Sequence, residues 1–270
     1  MKKVNIGDFR QKEAFFEVEL NDLPEAVMIF SIRSDFWPNR DGVSGDEIRN
    51  DVLEDNAEYV YLSRRIGLDN SRIVNITQVH GSEIVIVNEN SASQLVGDAI
   101  ITDQIACFPS IKTADCQATL ILDPVRKITA AIHAGWRGTV QRITRKVVLE
   151  MQTRFGCRPA DLIASLGPSI GTCCYEVDEQ VLEPFRQLIP DAGQFIEVFK
   201  IFDESKETER LSSRIDLRRT NRHELILAGI HPENIRDLNL CTQCNEDMFY
   251  SYRRDGSNPG RLIALAGFKT

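Results

Sequence analysis

The stretch AAIHAGWRGTV, residues 130–140, passes from an apolar strand pattern to the start of a helix within one short corner. The apolar run before His133 is typical of a buried strand, and from Thr139 onwards apolar residues recur at helical spacing. Thr139 is the predicted N-cap of that helix and Gly156 its predicted end. Two glycines in the corner permit a sharp turn of the backbone. We therefore expect a tight strand-to-helix corner that presents His133 and Arg137.

Short strand patterns dominate the middle of the chain, each closed by Gly, Asp, Asn or Pro. They are RIVNITQVH (72–80), SEIVIVNE (82–89), DAIITD (98–103), CFPSIKTA (107–114), QATLILD (117–123) and KITAAIHA (127–134). Helical patterns are predicted before and after this block, over 54–68, 178–189 and 220–230. A block of strands between helices predicts an α+β fold with mixed layers. No linker or repeat divides the chain, so we expect one domain over residues 1–270.

Composition narrows the class of protein. The chain has 270 residues, of which 42% are hydrophobic, and this is enough for a substantial core. The formal net charge of −8 argues against a nucleic-acid partner, which would need a clustered excess of Lys and Arg. No apolar run approaches a signal peptide or a membrane span, so we expect a cytoplasmic protein without a membrane partner. Seven cysteines, an odd number, favour free thiols over a disulfide framework.

Three predicted strands end in residues that can bind a metal. His80 closes TQVHG, Cys116 closes TADC and His133 closes the strand before the corner. Imidazole and thiolate are common zinc ligands, and three protein ligands leave a fourth position, as in catalytic zinc sites. Asp115 precedes Cys116 and is a candidate for orienting a ligand or moving a proton.

The same residues are compatible with a different chemistry. An imidazole beside a thiol favours the thiolate, so Cys116 with His133 or His80 could form a nucleophile pair. The long intervals between these residues match no short metal motif, and packing or capping roles stay open as well. The residues alone therefore leave the metal site and the thiol enzyme as alternatives.

Candidate anion contacts lie near two turns. Arg137 is expected at a helix N-terminus, where free N–H groups and a guanidinium suit a phosphate or a carboxylate. Arg253 and Arg254 in SYRRDG are candidates for an anion or aromatic contact. Ser169 lies in GPSIG, residues 167–171, which is interpreted as a glycine-bounded substrate loop. Solvated arginines and an ordinary turn are the alternatives.

Two further cysteine groups stand at residues 173–174 and in CTQC, residues 241–244. The spacing of Cys241 and Cys244 is that of a zinc knuckle or a redox pair. No second pair with suitable spacing completes four ligands, and no thioredoxin-like context surrounds CTQC. We therefore interpret Cys241 and Cys244 as ordinary buried or loop thiols.

Taken together, these segments resemble the laccase-domain proteins, also called the multicopper polyphenol oxidase or purine nucleoside phosphorylase family. The matching segments are TQVHG, DAIITD, TADC, HAGWRGT, GPSIGTCCYEV, CTQC with YSYRRDG, and PGR, in the family's order from about residue 77 to the C-terminus. The resemblance implies a single compact domain with β-sheets sandwiched by helices. It also implies a zinc ion held by His80, Cys116 and His133.

The activity implied by the resemblance is phosphorolysis of purine nucleosides. Adenosine, inosine, guanosine or methylthioadenosine would react with phosphate to release the base and ribose 1-phosphate, and adenosine would also be deaminated. Arg137 would bind phosphate, Ser169 would contact substrate, and Asp115 is the candidate acid or base. An N-terminal arginine is expected to reach the substrate, with Arg33 the first match and Arg40 the second. The chain would act as a monomer or a small homo-oligomer.

Other activities compete with this interpretation. The family's older name implies a copper-dependent polyphenol oxidase, because His and Cys also bind copper. A multicopper oxidase needs many more histidines than the four in this sequence. A Cys-His thiol hydrolase and a metal-stabilised binding protein without turnover are the remaining alternatives.

Overall fold

A computed structural model describes residues 6–33, 57–88, 91, 94–203, 208–257 and 259–270. Its strands in chain order are β1 (Ile6–Gln11), β2 (Phe15–Leu20), β3 (Ala26–Ser31), β4 (Ile73–Val74), β5 (Ile84–Val87), β6 (Ala99–Thr102), β7 (Phe108–Thr113), β8 (Gln117–Asp123), β9 (Ile128–Ala134), β10 (Ile163–Leu166), β11 (Glu176–Val177), β12 (Ile196–Asp203), β13 (Thr208–Ile215), β14 (Ile235–Asp237) and β15 (Leu262–Phe268). The helices are α1 (Ala57–Ile66), α2 (Trp136–Val140), α3 (Ile143–Phe155), α4 (Glu179–Leu188), α5 (Leu217–Leu227) and α6 (Tyr252–Asp255).

These strands form three sheets. The first has the order β1-β2-β3-β15-β7-β4, the second β14-β10-β8-β9-β6-β5, and the third β11-β13-β12. Most neighbouring pairs are antiparallel, and three pairs are parallel: β4 with β7, β5 with β6, and β10 with β14. Runs of strands with separate helices make this a mixed α+β fold in a single domain, as the sequence predicts.

The two large sheets pack face to face, with helices on the outer faces. Apolar side chains of both sheets meet in one buried cluster that includes Phe30, Leu120 and Phe268. The outer face of the second sheet packs on α3 and α5, and the outer face of the first sheet packs on α1. Every residue of β8 and β9 is buried, because these two strands lie at the centre of the sandwich. The predicted sandwich of sheets between helices is confirmed.

The corner after β9 differs from the sequence prediction. The helix begins at Trp136 rather than after Thr139, with Gly135 as its N-cap. It breaks at Arg142, which is left-handed with φ 60°, and resumes as α3. The Arg142 side chain pairs with buried Glu224, while the Thr139 hydroxyl accepts a hydrogen bond from an asparagine of α5. These contacts with α5 favour two short helices over one. Gly156 ends α3 in a left-handed conformation, as predicted.

Most other predicted elements are present with different bounds. The predicted strand over 72–80 is wrong beyond Val74, because the chain leaves the sheet there and enters a loop. The remaining five middle strands are confirmed as β5 to β9. The three outer helices are confirmed as α1, α4 and α5, except that residues 54–56 of the first lie outside the described part. Among the described residues, no helix combines the length and the apolar character needed to cross a bilayer.

Candidate functional site

The three predicted ligands converge at one end of the second sheet. Cys116 directly precedes β8 and His133 is the penultimate residue of β9, and Gln117 pairs with Ala134 across these antiparallel strands. The register therefore brings Cys116 and His133 to the same end of the hairpin. His80 comes from the loop between β4 and β5 and has a left-handed backbone with φ 58°. A loop position replaces the strand end expected for His80.

The donor atoms of His80, Cys116 and His133 all lie within 4.8 Å of one another. The two imidazole rings are perpendicular, with an interplanar angle of 89° and centroids 4.8 Å apart. Ligands of one tetrahedral zinc, at about 2.0 to 2.3 Å from the ion, stand roughly 3.3 to 3.8 Å from one another. The spacing and the mixed nitrogen and sulfur donors therefore fit a single zinc ion. His133 is buried and Cys116 is half-buried, whereas His80 is exposed.

Asp98 organises two of these three side chains. Its Oδ1 lies 2.9 Å from Nδ1 of His133 and accepts the backbone N–H of His80 at 2.9 Å. Its Oδ2 accepts the N–H of Gly81 at 2.6 Å, and its carbonyl accepts the N–H of His133 at 2.8 Å. A carboxylate on the outer nitrogen of a ligating histidine fixes the orientation of the ring. Sequence reasoning missed Asp98, although it opens the DAIITD segment.

Two pKa shifts favour a charged pair inside the donor set. Burial opposes ionisation of Cys116, but the charge of His133 and hydrogen bonds from both histidines outweigh it and lower the thiol pKa to about 6. Burial also opposes protonation of His133, but the charge of Cys116 and the hydrogen bond with Asp98 raise its pKa to about 9. Both shifts favour a thiolate beside an imidazolium over two neutral groups. The thiolate is the form of cysteine that binds metals.

The two glycines of the corner serve close packing rather than a special backbone angle. Neither has a positive φ. A Cβ at Gly135 would stand 3.0 Å from Sγ of Cys116 and 3.5 Å from Cδ2 of His80. A Cβ at Gly138 would stand 2.8 Å from the carbonyl oxygen of Gly81. The glycines therefore let the corner approach the donor set and the loop that carries His80.

A cavity of about 870 Å³ opens onto the donor set. Four cationic side chains line it: Lys112, Arg137, Arg253 and Arg261. Asp115 is the one carboxylate among the described lining residues. Aromatic walls come from Trp136, Tyr175 and Tyr252. In a chain with a net charge of −8, this local excess of cations suits an anionic ligand.

Asp115 lies in the cavity wall with both carboxylate oxygens engaged. Its Oδ1 accepts the hydroxyl of Thr242 at 2.6 Å and its Oδ2 accepts the backbone N–H of Arg253 at 2.7 Å. The backbone of Asp115 has a positive φ of 88°, which is uncommon for a residue other than glycine. The geometry makes Asp115 a brace between the turn that carries Cys116 and the segment that carries Arg253. Its predicted part in proton transfer stays a prediction.

Comparison with known proteins identifies the family. A family model described as multi-copper polyphenol oxidoreductase laccase matches residues 42–269. The chain belongs to this laccase-domain family. The cavity and its donor set fall within the matched region.

Relatives carry two kinds of name. A Bacillus subtilis protein described as purine nucleoside phosphorylase YlmD is 34% identical over 172 residues, which span 64% of this chain and 59% of that protein. A protein from an unknown prokaryotic organism, described as adenosine deaminase RL5, is 32% identical over 252 residues, spanning 88% of this chain and 93% of that protein. The crystal structure of YlmD from Geobacillus stearothermophilus matches with a TM-score of 0.77 and 27% identity, covering 98% of this chain and 100% of that one.

Of the predicted substrate residues that the structure of this laccase-domain protein describes, one lines the cavity and two lie outside its lining. Arg137 lines the cavity, with its guanidinium 4.3 Å from the centroid of the Trp136 ring. Ser169 is buried and its hydroxyl donates to Gln117 at 3.0 Å, outside the cavity lining. Arg33 also lies outside the lining and donates to the carbonyl of Glu246 at 3.0 Å. Arg40 lies outside the described residues. The substrate roles of Ser169 and Arg33 stay predictions.

Several wall residues of this laccase-domain cavity were missed by sequence reasoning. The amide of Gln78 donates to the carbonyl of Lys112 and accepts its N–H, each at 2.8 Å, and so ties the His80 loop to β7. Arg253 was a predicted anion or aromatic contact; it lines the cavity, and its guanidinium lies 5.2 Å from the ring centroid of Tyr175, which sequence reasoning missed. Burial raises the pKa of Tyr175, so its hydroxyl stays protonated. A lysine within the apolar strand pattern of CFPSIKTA was the available signal for Lys112.

Proposed function

We propose that this chain is a zinc-dependent purine nucleoside phosphorylase. Its substrates are adenosine, inosine, guanosine or methylthioadenosine with phosphate, and it also deaminates adenosine. The names of the relatives support both reactions. The observation that carries the proposal is the joining, in one cavity, of a three-donor set with cationic and aromatic walls.

The cationic side chains of the cavity would bind phosphate. Arg137 is the first candidate, because it lines the cavity three residues beyond Ala134, the last residue of the strand β9 that carries His133. Lys112 and Arg253 line the same space and add positive charge. Guanidinium groups match phosphate oxygens through paired, charge-assisted hydrogen bonds. Phosphate held in this way stands ready to attack the anomeric carbon of the ribose.

The reaction exchanges one bond for another. A phosphate oxygen forms a bond to C1′ of the ribose as the bond from C1′ to N9 breaks. The electron pair of that bond leaves with the purine, which takes up a proton, and the products are the base and ribose 1-phosphate. The exposed ring of Tyr252 in the cavity wall offers an aromatic surface on which the purine can stack. Cationic side chains stabilise the phosphate as charge shifts in the transition state.

The donor set would support the second reaction, the deamination of adenosine. His80, Cys116 and His133 would hold zinc, with Nδ1 of His133 paired to Asp98 and its other ring nitrogen left for the ion. When bound, zinc acts as a Lewis acid that activates water for attack on C6 of adenosine. The exposed position of His80 leaves this region open to the cavity. Ammonia leaves C6 and inosine is the product.

Two rival activities share these residues. A copper-dependent polyphenol oxidase accords with the description of the family model, but four histidines in the whole sequence are too few for blue and trinuclear copper centres. A thiol hydrolase accords with the thiolate of Cys116 beside protonated His133. Phenol oxidation that requires added copper would support the first rival. Turnover that survives chelation and stops on alkylation of Cys116 would support the second.

The test is a product analysis of purified protein with a measured metal content. Adenosine or inosine is incubated with and without phosphate, and the products are separated by chromatography. Base and ribose 1-phosphate that form only with phosphate establish phosphorolysis, and inosine formed from adenosine without phosphate establishes deamination. Zinc-loaded protein that gives neither product would refute the proposal.

Variants connect these products to the site. His80→Ala and His133→Ala should lose the metal of the donor set and both reactions while circular dichroism shows that the fold survives. His223→Ala is the matched control, because that histidine packs against Phe195, with ring centroids 5.4 Å apart, away from the donor set. An unchanged metal content in both site variants would show that the assigned ligands are wrong.

A further inference from the structure

The remaining cysteine motifs form one group. Four cysteines have their sulfur atoms within 4.8 Å of one another, and we call them the four-cysteine cluster: Cys173, Cys174, Cys241 and Cys244. The adjacent pair, Cys173 and Cys174, is the second pair that the sequence analysis did not find for CTQC. A parallel bridge between Ser169 and Cys241 brings the two segments together.

The distances in the four-cysteine cluster fit a metal and not a disulfide. Sγ of Cys244 lies 3.5 Å from Sγ of Cys173 and 3.4 Å from Sγ of Cys174. A disulfide requires about 2.05 Å between sulfurs. Four thiolates about 2.3 Å from a tetrahedral zinc stand roughly 3.8 Å from one another. The two sulfur separations of Cys244 lie slightly below that value, all four sulfurs lie within 4.8 Å of one another, and all four cysteines are free thiols.

Backbone donors already point at one sulfur of the cluster. Sγ of Cys241 accepts the N–H of Gly171 at 3.2 Å, and the N–H of Cys244 also donates to it. Hydrogen bonds of this kind stabilise the negative charge of a thiolate. A Cβ at Gly171 would lie 3.2 Å from Sγ of Cys173 and 3.2 Å from Cβ of Cys241, which is closer than most real Cβ contacts. Glycine at this position therefore favours the close approach of the two segments.

The guanidinium of Arg254 forms hydrogen bonds with the CTQC turn. Arg254 donates from Nη1 to the carbonyls of Thr242 and Gln243, each at 3.1 Å, while its Nε pairs with Asp255. The guanidinium lies against the turn that carries two of the four sulfurs. A four-thiolate zinc site carries a net charge of −2, and a nearby guanidinium offsets part of it.

We propose that the four-cysteine cluster binds one zinc ion as a closed structural site, separate from the donor set of the cavity. Four protein ligands leave no open position, which is the arrangement of structural rather than catalytic zinc. On binding, the four thiols release their protons to solvent as four bonds to zinc form, with no change of oxidation state.

The consequence of this second ion is to fasten two walls of the cavity to each other. Tyr175 follows Cys174 directly and lines the cavity. Thr242 lies between the two cysteines of CTQC, and its hydroxyl holds Asp115. Zinc that joins the two cysteine pairs therefore fixes Tyr175 relative to the Asp115 brace.

Metal analysis of the purified protein tests the proposal independently of any nucleoside reaction. Wild type produced with added zinc chloride should contain two zinc ions per chain by mass spectrometry. Cys241→Ser and His80→Ala should each contain one, because they lose different ions. Cys107→Ser, a buried thiol outside both groups, should keep two. One zinc in wild type with no loss in Cys241→Ser would overturn the proposal, and so would iron in place of zinc.

Cobalt binding provides a second measurement, which does not require the Cys241→Ser variant to fold. Cys116→Ser removes the only thiol of the cavity donor set. A thiolate-to-cobalt charge-transfer band in metal-stripped, reduced Cys116→Ser titrated with cobalt chloride must then come from other cysteines. We expect an intense band with the visible spectrum of tetrahedral thiolate coordination at one cobalt per chain. Absence of that band in folded protein would refute the site.

Discussion

The carboxylate of Asp98 connects the two histidines of the donor set, because its Oδ1 meets both Nδ1 of His133 and the backbone N–H of His80 at 2.9 Å. One buried side chain therefore orients one ligand through its ring and the other through its main chain. The antiparallel pairing of β6 with β9 places it there, since Ala99 lies opposite Ile132.

Replacement of Asp98 by asparagine should weaken metal binding without unfolding the protein. An amide has one acceptor oxygen, so it cannot serve both histidines and Gly81 as the carboxylate does. Loss of such a partner lowers metal affinity by about 10- to 100-fold. Competition with a coloured chelator measures the change, and Asp103→Asn, an exposed carboxylate just beyond β6, is the control. Equal affinity in Asp98→Asn and wild type would remove Asp98 from the metal site.

A methyl group at Gly135 should disturb the donor set directly. The added Cβ would lie 3.0 Å from Sγ of Cys116, closer than real Cβ contacts normally come. Gly135→Ala should therefore lower the free energy of unfolding by about 1 to 3 kcal/mol and reduce metal content. Gly193→Ala is the control, because nothing lies within 4 Å of its added Cβ. Full zinc content in Gly135→Ala would show that the close approach is not needed for binding.

The middle of the fold could be predicted from the sequence because its strands are short, apolar and closed by turn residues. The split of α2 from α3 could not, because it depends on Arg142 reaching Glu224 of α5, a contact between residues far apart in the chain. The sheet order likewise depends on pairings such as β15 between β3 and β7, which no local pattern records.

The donor set of the cavity was predicted because each of its residues interrupts an apolar pattern. Asp98 was missed because only the strand register places it beside His133. The four-cysteine cluster was missed for a similar reason, since two unremarkable pairs about 70 residues apart become neighbours through the bridge from Ser169 to Cys241. Sites indicated by the types of their residues could be predicted from the sequence, whereas sites formed by pairing between distant segments could not.

Loss of the Arg137 guanidinium should weaken phosphate binding. Hydrogen bonds to charged groups contribute about 1.5 to 3 kcal/mol, so Arg137→Gln should raise the KM for phosphate roughly 10- to 100-fold. Under the proposed function, the KM for inosine should change much less, because the purine would stack on the aromatic walls rather than on Arg137. Initial rates at varied phosphate measure the effect, with Arg158→Gln as an exposed-arginine control. An unchanged phosphate KM would assign the anion to Lys112, Arg253 or Arg261 instead.

The hydrogen bond between Thr242 and Asp115 should stabilise the protein and help to position Arg253 in the cavity wall. Thr242 is fully buried, and Thr242→Val would leave Oδ1 of Asp115 without its 2.6 Å hydrogen bond at nearly constant volume. An unpaired buried acceptor costs about 1 to 3 kcal/mol, which the urea midpoint of unfolding should register. Thr153→Val, whose hydroxyl bonds only to its own helix, should have little effect.

A double-mutant cycle with Asp115→Asn separates the brace from general loss of packing. If the hydroxyl stabilises the protein through the carboxylate, Thr242→Val should cost less in the Asp115→Asn background, with a coupling of about 0.5 to 3 kcal/mol. The two changes should also be less than additive in the KM for phosphate, because both act through the position of Arg253, whose N–H Asp115 accepts at 2.7 Å. Strict additivity in both measurements would mean that Thr242 stabilises its own segment alone, and that Asp115 holds Arg253 without help from the CTQC turn.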